Sequence, residues 1–126
     1  AAGADGVHVG QDDLPCADAR RLAPPGFLVG VSVGTAAEAL AAAAAGASYL
    51  GVSPVFDTPT KRDTPPATGL DGLRRIRAAT SLPLVAIGGI HAGNAAAVRA
   101  AGADGLAVVS AIMTAADPAA AARRLL

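Results

Sequence analysis

Five short apolar runs punctuate the chain, at residues 6–9, 27–32, 49–52, 83–87 and 105–109. They are flanked by glycine, lead into polar residues, and are rich in aliphatic and β-branched side chains. The runs read as continuous rather than alternating, which suits parallel strands buried on both faces. Between them lie helix-like segments rich in alanine, leucine and arginine, at 14–22, 36–45, 70–79, 93–101 and 117–126. Thr35 followed by Ala36, Ala37 and Glu38 forms a capping box. The threonine hydroxyl accepts from the third helical amide, and the glutamate reaches back toward the helix start. Asp117 before Pro118 places a capping carboxylate ahead of a proline at the first helical position. Gly46 and Gly102 stand where a left-handed residue ends a helix.

The string Ala-Ala-Gly-Ala occurs at 1–4, 44–47 and 100–103, and a strand follows each time. Helix, glycine stop and strand therefore recur as one module. The spacing is unequal, so the chain is a β/α repeat with loops of differing length rather than a fixed-period solenoid. Five units of this kind fit two architectures: an open doubly wound sheet or a slice of an eight-unit barrel. The glycine-rich G-x-G-x-x-G loop that commonly opens a doubly wound sheet is missing.

Length and composition narrow this reading. The chain has 126 residues, enough for one domain over 1–126, whereas an eight-unit barrel needs roughly 200 or more. The formal net charge is zero, which removes the electrostatic case for a nucleic-acid or membrane-surface partner. Cys16 is the single cysteine, so it forms no intrachain disulfide and reads as a small, half-buried helix residue. The apolar stretch 39–47 is mostly alanine and is cut by Gly46, so neither a signal peptide nor a membrane span is expected. A soluble cytoplasmic protein is the default expectation. Of the ten basic residues only Lys61 is lysine. In a chain that otherwise uses arginine, it stands out as a compact ammonium in a loop.

Parallel β/α folds bind ligands beyond the C-terminal ends of their strands. Those positions hold Gln11, Asp12 and Asp13 after the first strand, Ser32, Gly34 and Thr35 at the second, and a long loop including 57–63 after the third. Gly88-Gly89 follows the fourth strand and Ser110 the fifth. Glycines without side chains let backbone amides approach an anion. The loops after the last two strands of a barrel commonly build a phosphate site. Asp12-Asp13 reads either as an N-cap pair or as a source of a Mg²⁺ ligand. His8, inside an apolar strand, reads as a packed histidine. His91 reads as a cap or surface group, and Arg74, Arg75 and Arg77 as the solvated face of a helix.

Four motifs together resemble the thiamine-phosphate synthase family: Gly-Val-His-Val-Gly-Gln-Asp-Asp at 6–13, Thr-Pro-Thr-Lys at 58–61, Ala-Ile-Gly-Gly-Ile at 86–90 and Ala-Val-Val-Ser-Ala-Ile at 107–112. Thr-x-Thr-Lys is the most specific of them. The resemblance implies a (β/α)8 TIM barrel of which this chain supplies about the last five β/α units. It also implies a Mg²⁺-dependent transferase of thiamine biosynthesis that joins hydroxymethylpyrimidine diphosphate to a thiazole phosphate carboxylate. The reaction it implies is dissociative: diphosphate leaves, and the thiazole nitrogen captures the pyrimidine cation. By motif, Asp13 becomes a Mg²⁺ ligand, and Ser32 and Lys61 become catalytic groups on the pyrimidine diphosphate. Thr58, Pro59 and Thr60 line the thiazole phosphate side, and Gly89, Val109 and Ser110 bind its phosphate. The partners implied are these small molecules, with room for a homo-oligomer.

The sequence departs from the family at Ser48 and Ser53, where aspartate and glycine are usual. The family's first three β/α units, with a Q-x-R-x-K motif and an Asn-Asp pair, have no counterpart here. The expectation is a partial barrel that is inactive alone. Two alternatives are a thiazole tautomerase-like barrel, which needs neither Lys61 nor a Mg²⁺ carboxylate, and a non-catalytic phosphate-binding remnant.

Overall fold

The computed structural model describes residues 3–57 and 66–126. Apolar runs and helix signals resolve into β1 (Gly6–Val9), α1 (Cys16–Leu22), β2 (Leu28–Val33), α2 (Ala36–Ala44), β3 (Tyr49–Val52) and α3 (Gly69–Ala79). There follow β4 (Leu84–Ile87), α4 (Ala95–Ala100), β5 (Gly105–Ala107), α5 (Ser110–Met113) and α6 (Pro118–Arg123). Thr35 Oγ1 accepts from Glu38 N–H at 3.2 Å. The Glu38 carboxylate takes the N–H of Gly34 at 2.6 Å, one residue earlier than the usual capping box. Asp117 caps α6 by accepting from Ala120 N–H at 2.9 Å, with Pro118 at the first helical position.

Gly46 and Gly102 end α2 and α4 with φ of 91° and 112°. Each is followed by the paired backbone bonds of a Schellman turn: Gly46 N–H to Ala43 O and Ala47 N–H to Ala42 O, then Gly102 N–H to Arg99 O and Ala103 N–H to Val98 O. The repeat extends into side chains. Arg20 donates to Ser48 Oγ at 2.8 Å, and Ser48 Oγ accepts from Val29 N–H at 3.0 Å. Two β/α units later, Arg77 donates to Asp104 Oδ2 at 3.1 Å, and the same oxygen accepts from Leu84 N–H at 2.8 Å. In both modules an arginine stem lies over the helix-ending glycine. A Cβ on Gly102 would fall 2.5 Å from Arg77 Cγ. Arg77 also donates to the carbonyls of Thr80 and Leu82, so it ties α3 to the next two strands rather than solvating the helix. Arg74 does face solvent and pairs with Asp71 at 2.5 Å. Ser48, a departure from the family pattern, performs with a hydroxyl what Asp104 performs with a carboxylate.

The five strands form one parallel sheet in the order β1-β2-β3-β4-β5. Doubly wound sheets reverse direction at a switch point. Strictly sequential order contains no reversal, which excludes that alternative for the described strands. Parallel crossovers are right-handed, so every connection in a sequential sheet lays its helix on the same face. Burial follows this rule. Val29, Val31, Val33, Leu50, Val52, Leu84 and Ala86 are buried on the helix side, against Ala39, Leu73, Ile76 and Val98. Ile76→Ala would cost about 2–5 kcal/mol, since the cavity adds to lost burial.

Within these five units only the helix side of the sheet is buried. The second face carries Leu28, Gly30 and Ser32 of β2, Tyr49 and Gly51 of β3, Val85 and Ile87 of β4, and His8 of β1. Leu28 is 50% exposed, and His8, Ser32, Tyr49, Val85 and Ile87 are all partly or largely accessible. Glycine, serine and histidine alternate with valine along β1 and β2. The chain therefore reads as two-sided only when small residues are counted as apolar.

Candidate active site

The register assembles the open face row by row. His8 pairs with Gly30, and Gly30 pairs with Tyr49. Gly30 is therefore the floor between two rings on flanking strands, and the rings meet above it, with centroids 5.5 Å apart. His8 Nδ1 lies 2.9 Å from Tyr49 Oη, and His8 Nε2 lies 2.9 Å from Ser32 Oγ. A Cβ on Gly30 would come within 2.2 Å of Tyr49 Cζ and 2.5 Å of His8 Nδ1. Gly51, in the next row beside Ser32, leaves room for the far edge of the imidazole, 3.0 Å from a hypothetical Cβ. His8 is thus not a packed core histidine; it is accessible and bonded through both nitrogens. Desolvation by the surrounding strands holds its pKa below the ordinary histidine value, while the Asp13 carboxylate pulls the other way.

Beyond the C-terminal ends of β1 to β3 opens a cavity of about 700 Å³ whose walls include Gln11, Asp13, Ser32, Glu38, Thr68 and Arg75. Gln11 donates to Ser32 O at 2.5 Å, fixing the β1 loop to the end of β2. Asp13 Oδ2 accepts from Gly10 N–H at 2.7 Å. The helix-cap reading of Asp12-Asp13 is overturned. Helix α1 starts behind Pro15, and no side chain caps it. Pro15 brings no N–H of its own and presets φ for the turn. The Asp13 carboxylate folds back onto its own loop instead, which commits one oxygen and leaves a second donor atom on the same group. Among the described residues, no three histidine, cysteine or acidic side chains cluster as a metal cage. Mg²⁺ commonly takes one or two carboxylates and completes its shell with phosphate and water, so a single carboxylate beside a cleft fits such an ion.

The second region lies at the ends of β4 and β5. Ile87 pairs with Ala107, so Gly89 and Val109 stand at equivalent positions just past the sheet, and Ser110 opens α5 beside them. Val109 and Ser110 are exposed. Gly88 and Gly89 have φ of 102° and 63°. A Cβ on Gly89 would sit 2.7 Å from Phe56 Cβ and 2.9 Å from Asp57 O. The fold requires these glycines for the close approach of the loop after β3, whatever ligand they also serve. Asn94 is a residue the sequence reading missed. Its amide donates to Gly89 O at 2.9 Å, and its carbonyl accepts from His91 N–H at 2.9 Å, which clamps the Gly-Gly-Ile turn. Arg75, read from the sequence as part of a solvated helix face, is an exposed residue on the cavity wall. Neither carries a motif signal; only the tertiary fold places them. Thr58, Pro59, Thr60 and Lys61 lie outside the described residues. Cys16 begins α1 half-buried, and burial pushes its thiol pKa up against the opposing pull of Arg20. That makes it a poor nucleophile.

A singly wound parallel α/β sheet with its polar groups gathered at the strand C-termini defines the class of parallel β/α folds, with TIM-barrel-like structural neighbours. A family profile described as thiamine monophosphate synthase matches residues 1–112, and the chain belongs to that family. It is 61% identical over 125 residues to a thiamine-phosphate synthase of Methanoculleus marisnigri, covering 99% of this chain and 59% of the relative. Among solved structures, a thiamine phosphate pyrophosphorylase from Pyrococcus furiosus superposes with a TM-score of 0.85 at 43% identity, over 97% of this chain and 57% of that one. A 3-hexulose-6-phosphate synthase from Salmonella typhimurium gives a TM-score of 0.74 at 27% identity, over 98% and 60%. The chain thus spans 57–59% of the length of the thiamine-phosphate relatives. No described helix is long and apolar enough to cross a membrane.

Proposed function

We propose that this chain forms the C-terminal five units of a (β/α)8 barrel, residues 1–126 being one partial domain, and that the whole barrel is a thiamine-phosphate synthase. The observation that carries the reading is the convergence of Asp13 and Ser32 on one cavity wall at the strand ends, in a chain 61% identical to a named synthase. Sequential strand order and an uncovered second sheet face support the barrel, because closure buries that face and removes both sheet edges.

In this reading the enzyme cleaves the bond between the pyrimidine methylene and its diphosphate, the thiazole nitrogen takes the diphosphate's place on that carbon, and the thiazole carboxylate leaves as CO₂ to give thiamine phosphate. Negative charge gathers on the departing diphosphate, so donors and cations held in place favour the transition state over the ground state. Ser32 supplies a hydroxyl donor, and Lys61 supplies a compact ammonium. Asp13 holds Mg²⁺, which when bound adds positive charge to the same oxygens. Thr58, Pro59 and Thr60 line the thiazole side. Gly89, Val109 and Ser110 hold the thiazole phosphate through backbone and hydroxyl donors. A tautomerase would need neither Lys61 nor the Asp13 carboxylate, which favours the synthase. The small-molecule substrates and a cytoplasmic site of action belong to the same proposal, and a homo-oligomer is compatible with it.

The decisive experiment is turnover of both substrates by the complete protein, beside Ser32→Ala and Lys61→Ala. Each variant should lower kcat by roughly tenfold to a thousandfold, the range for removing one stabiliser of developing charge. Full activity in both variants would overturn the assignment.

A further inference from the structure

The open face of the sheet carries a three-group hydrogen-bond chain that the site assignment above does not use. It runs from Tyr49 Oη on β3 to His8 on β1 and on to Ser32 Oγ on β2, with both links at 2.9 Å. The sheet is shaped for it. Gly30 sits between His8 and Tyr49 in the register, and any side chain there would collide with both rings. Gly51 clears the imidazole edge from the other side. Gly30, with no room for a Cβ, and Gly51, where one would sit 3.0 Å from the ring, flank a histidine bonded at both nitrogens and hold that ring's position and plane.

A neutral imidazole donates from one nitrogen and accepts at the other. Two proton arrangements therefore fit the ring positions. In the first, Tyr49 donates to Nδ1, and Nε2–H donates to Ser32 Oγ. In the second, Nδ1–H donates to Tyr49, and Ser32 donates to Nε2. The chemistry of the end groups separates them. A phenol is the more acidic hydroxyl, and its oxygen lone pair is partly delocalised into the ring, so it is the better donor and the poorer acceptor. An aliphatic hydroxyl accepts readily. The first arrangement uses each group in its better role, and aligned bonds in a chain polarise one another in its favour.

We propose that His8 is a positioning residue for Ser32: Tyr49 fixes the Nε2–H tautomer of His8, and Nε2–H occupies a lone pair of Ser32 Oγ, so the Ser32 hydrogen points into the cavity as a donor to an anionic substrate group. This rests on the reading of Ser32 as a donor to the pyrimidine diphosphate. It gives Ser32 a defined polarity. In the second arrangement the hydroxyl hydrogen is spent on histidine, and the oxygen faces the cavity as an acceptor, which would repel a phosphate. The sheet residues thereby decide whether the same serine attracts or rejects an anion. Tyr49 acts through two intervening groups, His8 and Ser32.

The test is the tautomer itself, read from the ¹⁵N shifts and long-range ¹H–¹⁵N correlations of the His8 ring in the complete protein. Wild type should show a protonated Nε2 and an unprotonated Nδ1. Tyr49→Phe should remove that bias and yield a tautomer mixture, with kcat lowered about three- to tenfold, as for one lost hydrogen bond. His8→Gln, which can place an amide N–H near the former Nε2, should retain more activity than His8→Leu, although both lose the ring. A protonated Nδ1 in wild type, beside a slow Ser32→Ala variant, overturns the relay and leaves the donor role of Ser32 standing. A Ser32→Ala variant as fast as wild type overturns the donor role, and with it the purpose of the relay, whichever tautomer is found. Equal loss in His8→Gln and His8→Leu overturns the positioning role in favour of ring packing.

Discussion

Asp13 shows how a residue's partners decide between roles that the sequence leaves open. Its position before a helix suits a cap, yet Pro15 occupies the N-cap of α1 and the carboxylate closes on Gly10 instead. A neutral amide is a poorer ligand for a hard cation than a carboxylate. Asp13→Asn should therefore raise the Mg²⁺ concentration for half-maximal turnover while leaving α1 intact by circular dichroism. An unchanged Mg²⁺ dependence would confine Asp13 to its loop contact. Gly89 poses the opposite problem, because a structural demand overlies the proposed ligand role. With φ of 63° and Phe56 Cβ within 2.7 Å of a hypothetical side chain, Gly89→Val should destabilise by about 2–4 kcal/mol from backbone strain and overpacking. A thermal melt would show this with no ligand present. Ser110, exposed at the start of α5, is the cleaner probe of the phosphate site. Ser110→Ala should weaken a phosphorylated thiazole by calorimetry and leave its dephosphorylated form unaffected. Equal effects on both would remove Ser110 from the site. The strand-end placement of Asp13, Ser32 and Ser110 was legible from the sequence. The partnership of His8 with Tyr49 was not, because it depends on a glycine one strand away that has no signature of its own.

At the scale of elements, local chemistry was the most legible part. The β1 and β3 boundaries agree with the apolar runs, and the helix stops at Gly46 and Gly102 follow from their left-handed φ. Helix starts were read less well where no cap side chain exists: α1 begins two residues later than the pattern suggests, and α4 likewise. The faces of β2 were misjudged, since valine alternating with glycine and serine passes for a continuous apolar run. The side-chain half of the repeat was invisible, because Ser48 and Asp104 look unrelated until both accept a strand N–H and an arginine. That equivalence is testable. Asp104→Ala leaves the part-buried Leu84 N–H without its acceptor and should cost about 1–3 kcal/mol. Asp104→Ser should recover part of this if a hydroxyl serves as it does at Ser48. Denaturant unfolding of the two variants would decide it, and equal losses would show that the modules are alike in sequence only.

At the scale of the molecule, the consequence of a sequential parallel sheet is what it leaves uncovered. Strands β1 and β5 are the edges of the described sheet, and no described helix lies over the face bearing His8, Tyr49, Val85 and Ile87. Unpaired parallel edges beside a half-exposed apolar face favour association with other chains. Chemistry adds to this, because the described residues offer Asp13 as a carboxylate for the cation without a cluster of further ligands. The 126 residues expressed alone should therefore associate in solution and should not form thiamine phosphate at a measurable rate. Joining them to the unmatched remainder of the Methanoculleus marisnigri relative, which this chain matches over only 59% of that protein's length, should supply further strands for the edges and a cover for the open face. The chimera should elute as a discrete species, resist proteolysis better than the isolated chain, and turn over both substrates in a Mg²⁺-dependent manner. Scattering and size-exclusion chromatography report the first half of this expectation, and a coupled diphosphate assay reports the second. An isolated chain that is monomeric, cooperatively folded and active would refute both the edge argument and the need for ligands from outside these five units. A chimera that folds yet stays inactive, although Asp13, Ser32 and Lys61 are intact, would separate the barrel from the synthase reading and leave only the barrel.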